Sequence, residues 1–203
     1  MFPAHAGSPC GRKDADRLLG DVLSEHAIKL VEISLTAAEA RSRAVVVTSW
    51  LLDRGVITPN TARDEVMAPS EFRAGPRCAE ASPEAERWVG GGHTGVDVLT
   101  QRTVHHATGN YEPPTCPHCG FPAISEEDHH ALIEPWLYDR VEASVRCVAC
   151  GRCVLAGDLE GQWSFHIGDL AVVFHNWPPL ADGFVAELGA VMGPRTRVVV
   201  EHL

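Results

Sequence analysis

The sequence predicts an α+β protein with mixed β-sheets, flanking helices, an inserted module of four cysteines and a C-terminal βαβ unit. A capped amphipathic helix stands in the N-terminal half, and two Cys-x-x-Cys-Gly runs stand in the middle. Near the C-terminus two apolar runs enclose a helical stripe. We therefore divide the 203 residues into a loose leader 1–13, an α/β part 14–110, the cysteine module 111–156, and a strand–strand–helix–strand part 157–203 that packs with the rest.

The N-terminal part is predicted to contain two helices with a strand between them. From Asp14 the apolar positions share one helical face. They are Leu18, Leu19, Val22 and Leu23. Residues 28–33 could continue this helix or form a strand, and we favour the strand because Ile and Val are β-branched. Thr36-Ala-Ala-Glu39 is a capping box, in which each residue satisfies a backbone N–H of the other. Apolar residues then recur at helical spacing up to Gly55, which supplies the C-terminal stop.

The stretch from residue 56 to residue 104 is predicted to be poor in regular structure. Val56 and Ile57 begin a short strand that ends at the turn 58–60, and residues 59–92 form long loops. The glycine-rich run 90–95 is interpreted as a connector. No hydrophobic strand precedes it and no Gly-Lys-Ser/Thr follows, as a phosphate-binding loop would need. Residues 96–104 alternate apolar and polar side chains, which predicts one amphipathic strand.

The two cysteine pairs predict a metal site. Cys116-Pro-His-Cys119-Gly and Cys147-Val-Ala-Cys150-Gly each form a tight turn that points two sulfurs at one ion. The glycine after each pair allows positive φ. We predict one structural Zn²⁺ with all four cysteines as ligands. The tetrapeptide 116–119 also resembles the active site of thioredoxin-fold disulfide oxidoreductases. The following Gly-Phe-Pro is a poor helix start, however, and a second pair has no role in such an enzyme.

The motif resembles the zinc ribbon over residues 111–156. That resemblance implies that the two turns sit on neighbouring β-hairpins and that the metal is structural. The spacer 121–146 exceeds the roughly 15–20 residues of the commonest spacing, so it is predicted to hold an insertion. A helix capped at Ser125 and ended by Pro135-Trp136 fits that insertion. Cys153 extends the second pair into a run that resembles an iron–sulfur string, but we interpret it as a buried or semi-exposed free thiol.

The eleven histidines suggest a second metal site as an alternative. The candidate ligands are His105, His106, His118, His129 and His130. The competing interpretation is that these histidines are solvated surface residues, because no pair has the i, i+4 spacing of a helical metal motif.

The C-terminal part is predicted to be a strand, a helix and a strand. The run 170–174 is continuously apolar, which indicates a strand covered on both faces. Asp182 is expected to cap a helix with an apolar stripe over residues 184–191, and residues 198–200 form a last buried strand. This βαβ unit is expected to cross over with a right hand.

Composition limits the possible functions. The net charge of −10 argues against a large nucleic-acid footprint, since phosphates are neutralised by clustered Lys and Arg. No apolar stretch reaches the roughly 18 residues of a membrane span, and the N-terminus does not have the pattern of a secretory signal. Seven cysteines, four of them in metal spacing, fit a reducing cytoplasm. Fifteen arginines against two lysines indicate a GC-rich bacterial genome.

The expected function is a non-enzymatic protein–protein interaction or a regulatory role, with zinc holding the fold. Zinc ribbons are often interaction platforms, and no catalytic constellation stands out in the sequence. One alternative is an enzyme whose site lies at the end of strand 170–175, where His175, Asn176 and Asp182 would converge. Another alternative is nucleic-acid binding through Arg140, Arg146 and Arg152 near the cysteines.

Overall fold

The computed structural model of the chain describes residues 26–61, 70–85 and 94–202. The predicted leader 1–13 and the helix predicted from Asp14 lie outside these ranges. Most of the glycine-rich connector lies outside them as well. No helix within the described ranges is both long enough and apolar enough to cross a membrane.

The described residues alternate short strands with four helices. The helices are α1 Ala37–Asp53, α2 Glu126–His130, α3 Ile133–Tyr138 and α4 Asp182–Met192. The strands are β1 His26–Glu32, β2 Ile57–Pro59, β3 Phe72–Ala74, β4 Gly95–Leu99, β5 Thr103–His106, β6 Ser144–Arg146, β7 Cys153–Leu155, β8 Phe165–Gly168, β9 Leu170–His175 and β10 Thr196–His202.

A six-stranded sheet in the order β10-β1-β9-β4-β3-β2 is the centre of the fold. Every neighbouring pair in this sheet is antiparallel. Because β9 and β10 are both antiparallel to β1, they run parallel to each other, and α4 connects them. The predicted α+β class and the C-terminal βαβ unit are therefore confirmed, with β1 inserted between the two parallel strands. Two smaller sheets, β5–β8 and β6–β7, complete the structure.

Apolar side chains on both faces of the central strands form two cores. Leu170, Val172 and Phe174 of β9 pack on one face with residues of α1 and α4. Ala171 and Val173 pack on the other face with β8 and the cysteine module. Phe174 is fully buried and Val173 is 3% exposed, so the prediction of a strand covered on both faces is confirmed.

Helix α1 begins and ends as its sequence predicts. Thr36 Oγ1 accepts the backbone N–H of Glu39, and the Thr36 N–H donates to the Glu39 carboxylate at 2.9 Å. Gly55 follows the helix with φ of 69°. The buried side of the helix is a stripe of Ala40, Ala44, Val47 and Leu51, which packs against the six-stranded sheet.

The strand predicted over residues 96–104 is wrong as a single element. Strand β4 pairs with β9 in the central sheet, whereas β5 pairs with β8 in another sheet. Between them Arg102 turns inward, where its guanidinium contacts the buried Asp169 at 2.9 Å and the backbone carbonyl oxygens of Trp136 and Leu137. An alternating pattern predicts the extended backbone but cannot show that the chain changes sheets in the middle.

Three predicted boundaries also need correction. Strand β2 runs through Pro59. Proline has no backbone N–H to donate to a neighbouring strand, and β2 tolerates it because β2 is an edge strand. Pro135 does not end a helix. It lies in the first turn of α3, where proline is accepted, and Trp136 is 2% exposed inside that helix. The N-cap of α4 is Ala181, and Asp182 is an exposed residue of the first turn rather than the cap.

Candidate metal centre

The two Cys-x-x-Cys turns have the same backbone geometry. In each turn the glycine N–H donates to the carbonyl oxygen of the first cysteine, at 2.8 Å from Gly120 to Cys116 and at 2.9 Å from Gly151 to Cys147. The N–H of the first cysteine donates in turn to the carbonyl of the residue after the glycine. Both glycines have φ of 72°, the positive value that the sequence predicts.

The four sulfur atoms face one another across the two turns. Cys116, Cys119, Cys147 and Cys150 place their Sγ atoms within 4.8 Å of one another. Cys116 Sγ lies 3.9 Å from Cys150 Sγ, and Cys119 Sγ lies 3.8 Å from Cys147 Sγ. A tetrahedron with metal–sulfur bonds of about 2.3 Å has edges of about 3.8 Å, whereas a disulfide needs about 2.05 Å. The arrangement can therefore hold a metal ion and does not form a disulfide.

The surroundings shift the pKa values of two of the four thiols in opposite directions. The backbone N–H of Cys150 lowers the pKa of Cys147 to about 7, with a further contribution from the N–H of Ala149 and against the effect of desolvation. The backbone of Phe121 lowers the pKa of Cys119, but desolvation and the other three sulfurs raise it to about 11. A cation between the sulfurs removes this conflict, because it stabilises all four thiolates together.

The cysteine module is built on one regular hairpin and one minimal one. The second pair lies in the turn between β6 and β7, which pair antiparallel. The first pair is enclosed by a single antiparallel bridge between Thr115 and Pro122. A hydrogen bond of 3.1 Å from the Val148 N–H to the Ala123 carbonyl joins the two turns. The predicted insertion between the pairs is α2 and α3, and α2 is capped by Ser125 as expected.

Cys153 takes no part in the cluster. It lies exposed on β7, outside the group of four sulfurs. The expectation of a buried or semi-exposed thiol is therefore wrong in its degree of burial. The sequence cannot show this, because Cys153 follows Cys150 at the same spacing that separates Cys147 from Cys150. Cys153 is turned outward by the register of the β6–β7 hairpin, in which it pairs with Arg146.

Two histidines that were interpreted as solvated surface residues, His105 and His129, are buried, and so is His166. His105 is 4% exposed, His129 is 1% exposed and His166 is 3% exposed. Burial lowers the pKa of each of these imidazoles, to about 4 for His105 and His129 and to about 3 for His166. Within the described ranges the four cysteines are still the single group of three or more metal-ligand side chains that converge. His118 lies exposed in the first cysteine turn.

The three residues of the enzymatic alternative have different surroundings. His175 Nε2 contacts Asp97 Oδ2 at 2.9 Å. Asn176 accepts the backbone N–H of His26 with its side-chain oxygen at 3.0 Å. Asp182 lies at the edge of a cavity of about 500 Å³ whose lining includes Trp163 and Trp177 but neither His175 nor Asn176. Asp97 was not predicted from the sequence as the partner of His175, because β4 and β9 are far apart along the chain.

The arginines near the cysteines do not form one basic patch. The guanidinium of Arg140 makes two hydrogen bonds, of 2.7 and 3.0 Å, to the carboxylate of Asp169, which also holds Arg102. The two guanidiniums lower the pKa of Asp169 by hydrogen bonding, against desolvation that raises it. Arg146 donates to the Gly151 carbonyl at 2.9 Å and stays exposed. The Arg140 side chain therefore serves a buried ion pair.

Comparison with known proteins finds no family model, no curated protein and no solved structure that matches this chain.

Proposed function

We propose that the four cysteines hold one structural zinc ion in a zinc-ribbon-like module and that this module is a protein-binding surface. The closed set of four protein ligands supports a structural rather than a catalytic metal, because catalytic zinc sites keep a coordination position for water or substrate. The sulfur–sulfur distances of 3.8 and 3.9 Å support a tetrahedral thiolate site. The hairpin at the second pair supports the ribbon-like arrangement.

The observation that carries the binding proposal is the distribution of exposed apolar side chains. Eight large hydrophobic residues are exposed in the described part of the chain, and five of them fall between residues 121 and 155. Those five are Phe121, Tyr138, Val141, Val148 and Leu155. Phe121 is 63% exposed and Val148 is 79% exposed, and each belongs to the segment of one cysteine turn. A concentration of large exposed apolar residues in one part of a chain favours a protein-interaction site there.

The same geometry disfavours nucleic acid as the partner. A zinc ion with four thiolates carries a formal charge of about −2. Arg146 and Arg152, both exposed beside the second turn, can neutralise that charge and leave no surplus for phosphates. Together with the net charge of −10, this local neutralisation supports a neutral, apolar surface for contact with another protein. A reducing bacterial cytoplasm, which keeps thiolates available to zinc, remains the expected location.

An enzymatic role is the second candidate, and the His175–Asp97 contact is the observation that favours it. A histidine oriented by a carboxylate is a common general base. The His175 side chain is 38% exposed, so its ring can be approached from solvent. Replacement of His175 distinguishes this candidate, because an enzyme would lose its function while the chain still folds and holds its metal.

Affinity capture with matched variants tests the binding proposal. The full chain, loaded with its metal and confirmed by elemental analysis to carry about one zinc per chain, is used to capture proteins from native cell extract. Phe121→Ser with Val148→Ser should abolish a specific captured protein, because the replaced side chains provide the apolar contact. Val45→Ser with Val46→Ser is the control, since these residues are also exposed but lie on α1.

The captured protein identifies the partner, and it should be lost with the first variant and kept with the second. Equal capture by all three proteins would place the interaction elsewhere and overturn the proposal. Metal content rules out unfolding as the reason for a loss. An absorption spectrum typical of iron–thiolate centres would replace zinc with iron and leave the binding proposal unchanged.

A further inference from the structure

A cluster of histidine and aromatic rings joins α2 to β5 and β8. His106 comes from β5, Tyr111 from the segment after it, and His129 and His130 from α2. The ring centroid of Phe165 on β8 lies 4.1 Å from that of His129 and less than 6 Å from those of His106 and His130. We call His106, Tyr111, His129 and His130 the histidine cluster. Helix α2 lies in the insertion between the two cysteine pairs, so this cluster connects the cysteine module to the neighbouring sheet.

Hydrogen bonds decide where the protons of the neutral rings lie. The backbone N–H of Thr108 donates to His106 Nδ1 at 2.8 Å, so Nδ1 is unprotonated and Nε2 carries the hydrogen. His106 Nε2 lies 3.1 Å from His130 Nε2, which therefore accepts that hydrogen. Thr108 has φ of 54°, an unusual value for a β-branched residue, and this conformation accompanies the contact of its N–H with the imidazole.

The same assignment disfavours these two histidines as metal ligands. A metal bound at His106 Nε2 requires the hydrogen of that ring to move to Nδ1. At Nδ1 it would meet the Thr108 N–H, which already points at that atom. The pair is thus arranged to share a hydrogen and not an ion.

An added proton breaks one of these two hydrogen bonds. If His106 is protonated, its Nδ1–H opposes the Thr108 N–H across 2.8 Å. If His130 is protonated, its Nε2–H opposes the His106 N–H across 3.1 Å. Neither ring can accept a proton and keep the present contacts. His129, bonded to the Tyr111 hydroxyl at 2.9 Å and 1% exposed, would also become a buried cation.

Charged groups on the neighbouring elements do not reverse the preference of the cluster for neutral rings. Lys29 on β1 and Glu201 on β10 form an ion pair at 2.6 Å, so their effects on the cluster oppose each other. Glu126 on α2 favours the protonated form of His106. Burial and then His130 have larger effects, and the pKa of His106 is lowered. On the other face of the β5–β8 sheet lie His105 and His166, both neutralised by burial.

We propose that the histidine cluster is an acid-sensitive latch that holds α2 against β5 at neutral pH and releases it when the rings are protonated. Its consequence for the binding surface rests on the function proposed above, because α2 begins at Glu126, five residues after Phe121 along the chain. The direction follows from linkage. His106 and His129 have a lower pKa in the folded protein than the usual value of about 6.5. Their contribution to stability is therefore complete above about pH 6.5 and is lost as the pH falls through their lowered pKa values, which for His129 is about 4.

Nuclear magnetic resonance of the full, metal-loaded chain tests the latch. At about pH 7.5 the ring nitrogens should show His106 protonated at Nε2 and His130 at Nδ1. As the pH falls, the backbone amides of residues 126–130 should shift with a midpoint between about 4 and 6.5. In His130→Gln the carboxamide oxygen still accepts the His106 hydrogen but cannot be protonated. His130 lowers the pKa of both His106 and His129, and this effect is absent in the variant. The midpoint should therefore move to higher pH, by about half a unit or more.

His175→Gln is the matched control. The ring of His175 also contacts one ionisable side chain, the carboxylate of Asp97, but it lies outside the histidine cluster. This variant should leave the midpoint unchanged. An identical midpoint in His130→Gln, or α2 amides that do not respond while the rings titrate, would overturn the latch. Capture of a partner at about pH 7.5 by His130→Gln separates the two proposals. Failure of capture by wild type bears on the binding surface, whereas the amide titration bears on the latch alone.

Discussion

Different forces stabilise the central sheet and the cysteine module. In the sheet, large apolar side chains such as Leu30, Val172 and Phe174 are fully buried between strands and helices. In the module the large buried side chains are few, and Trp136 and Val145 are examples. Instead four sulfurs lie within 4.8 Å of one another, where only a cation allows them all to ionise. The sheet is therefore expected to respond to core substitutions and the module to loss of the metal.

Removal of the metal should have the largest effect. Cys119→Ser deletes one ligand, and structural zinc sites contribute apparent energies of about 10–16 kcal/mol. That is comparable to the roughly 5–15 kcal/mol that stabilise a whole domain. We expect the variant to lose its zinc and to expose new protease sites within residues 111–156, measured by elemental analysis and limited proteolysis.

Cys153→Ser is the control for that measurement. It removes a sulfur from the same module but from outside the group of four, so zinc content and protease resistance should not change. A metal-free wild-type chain that is equally resistant to protease would show that the module folds by burial, and the contrast with the sheet would disappear.

A core substitution in the sheet should have a smaller but still large effect. Phe174 is fully buried, with its ring centroid 5.2 Å from that of Trp177 in an edge-on contact. Phe174→Ala should therefore lower the free energy of unfolding by about 3–5 kcal/mol, as measured by chemical denaturation. The exposed Phe121 provides the matched control, and Phe121→Ala should cost about 0.5 kcal/mol or less.

Zinc content should distinguish the two regions in the same experiment. If the sheet and the module differ as argued, Phe174→Ala keeps its zinc under native conditions. Zinc loss by this variant under native conditions, where the wild-type chain keeps its zinc and the sheet of the variant is still folded, would contradict the assignment of separate stabilising forces.

The sequence predicts the parts of this structure that depend on neighbouring residues. The capping box at Thr36, the positive φ of Gly120 and Gly151, and the burial of the run 170–174 all follow from local pattern or composition. The grouping of the four cysteines follows as well, because each pair fixes its own turn and two turns suffice for four ligands.

Contacts between distant segments explain what the sequence did not predict. The break between β4 and β5 depends on Arg102 reaching Asp169, 67 residues later. The insertion of β1 between β9 and β10 depends on pairing between residues that are 138 or more positions apart, such as Glu32 and Leu170, and no local pattern records it. The sequence named His106, His129 and His130 as candidate metal ligands but did not predict their hydrogen bonds, since His106 and His130 approach each other only when α2 packs on the β5–β8 sheet.

The smallest expected effect is at the rim of the sheet, where His175 contacts Asp97. Both side chains are partly exposed, at 38% and 25%, so the ion pair is expected to contribute at most about 1 kcal/mol. Asp97 also accepts the Glu71 backbone N–H at 2.7 Å, and this contact remains when His175 is replaced. His175→Ala should therefore fold, keep its zinc and capture the same partner as wild type.

The pH dependence of this variant gives the sign of the small contribution. The pKa of Asp97 is lowered despite desolvation, mainly by the hydrogen bond from His175 and then by that from Glu71. A carboxyl group with a lowered pKa stabilises the fold above its unfolded value of about 3.8 and loses that effect as the pH falls. The stability difference between wild type and His175→Ala should thus be present near neutral pH and vanish in acid, as followed by denaturation.

If His175→Ala instead abolishes the cellular function while structure and zinc are intact, the histidine acts on a ligand or substrate. The enzymatic candidate would then replace the proposed binding role.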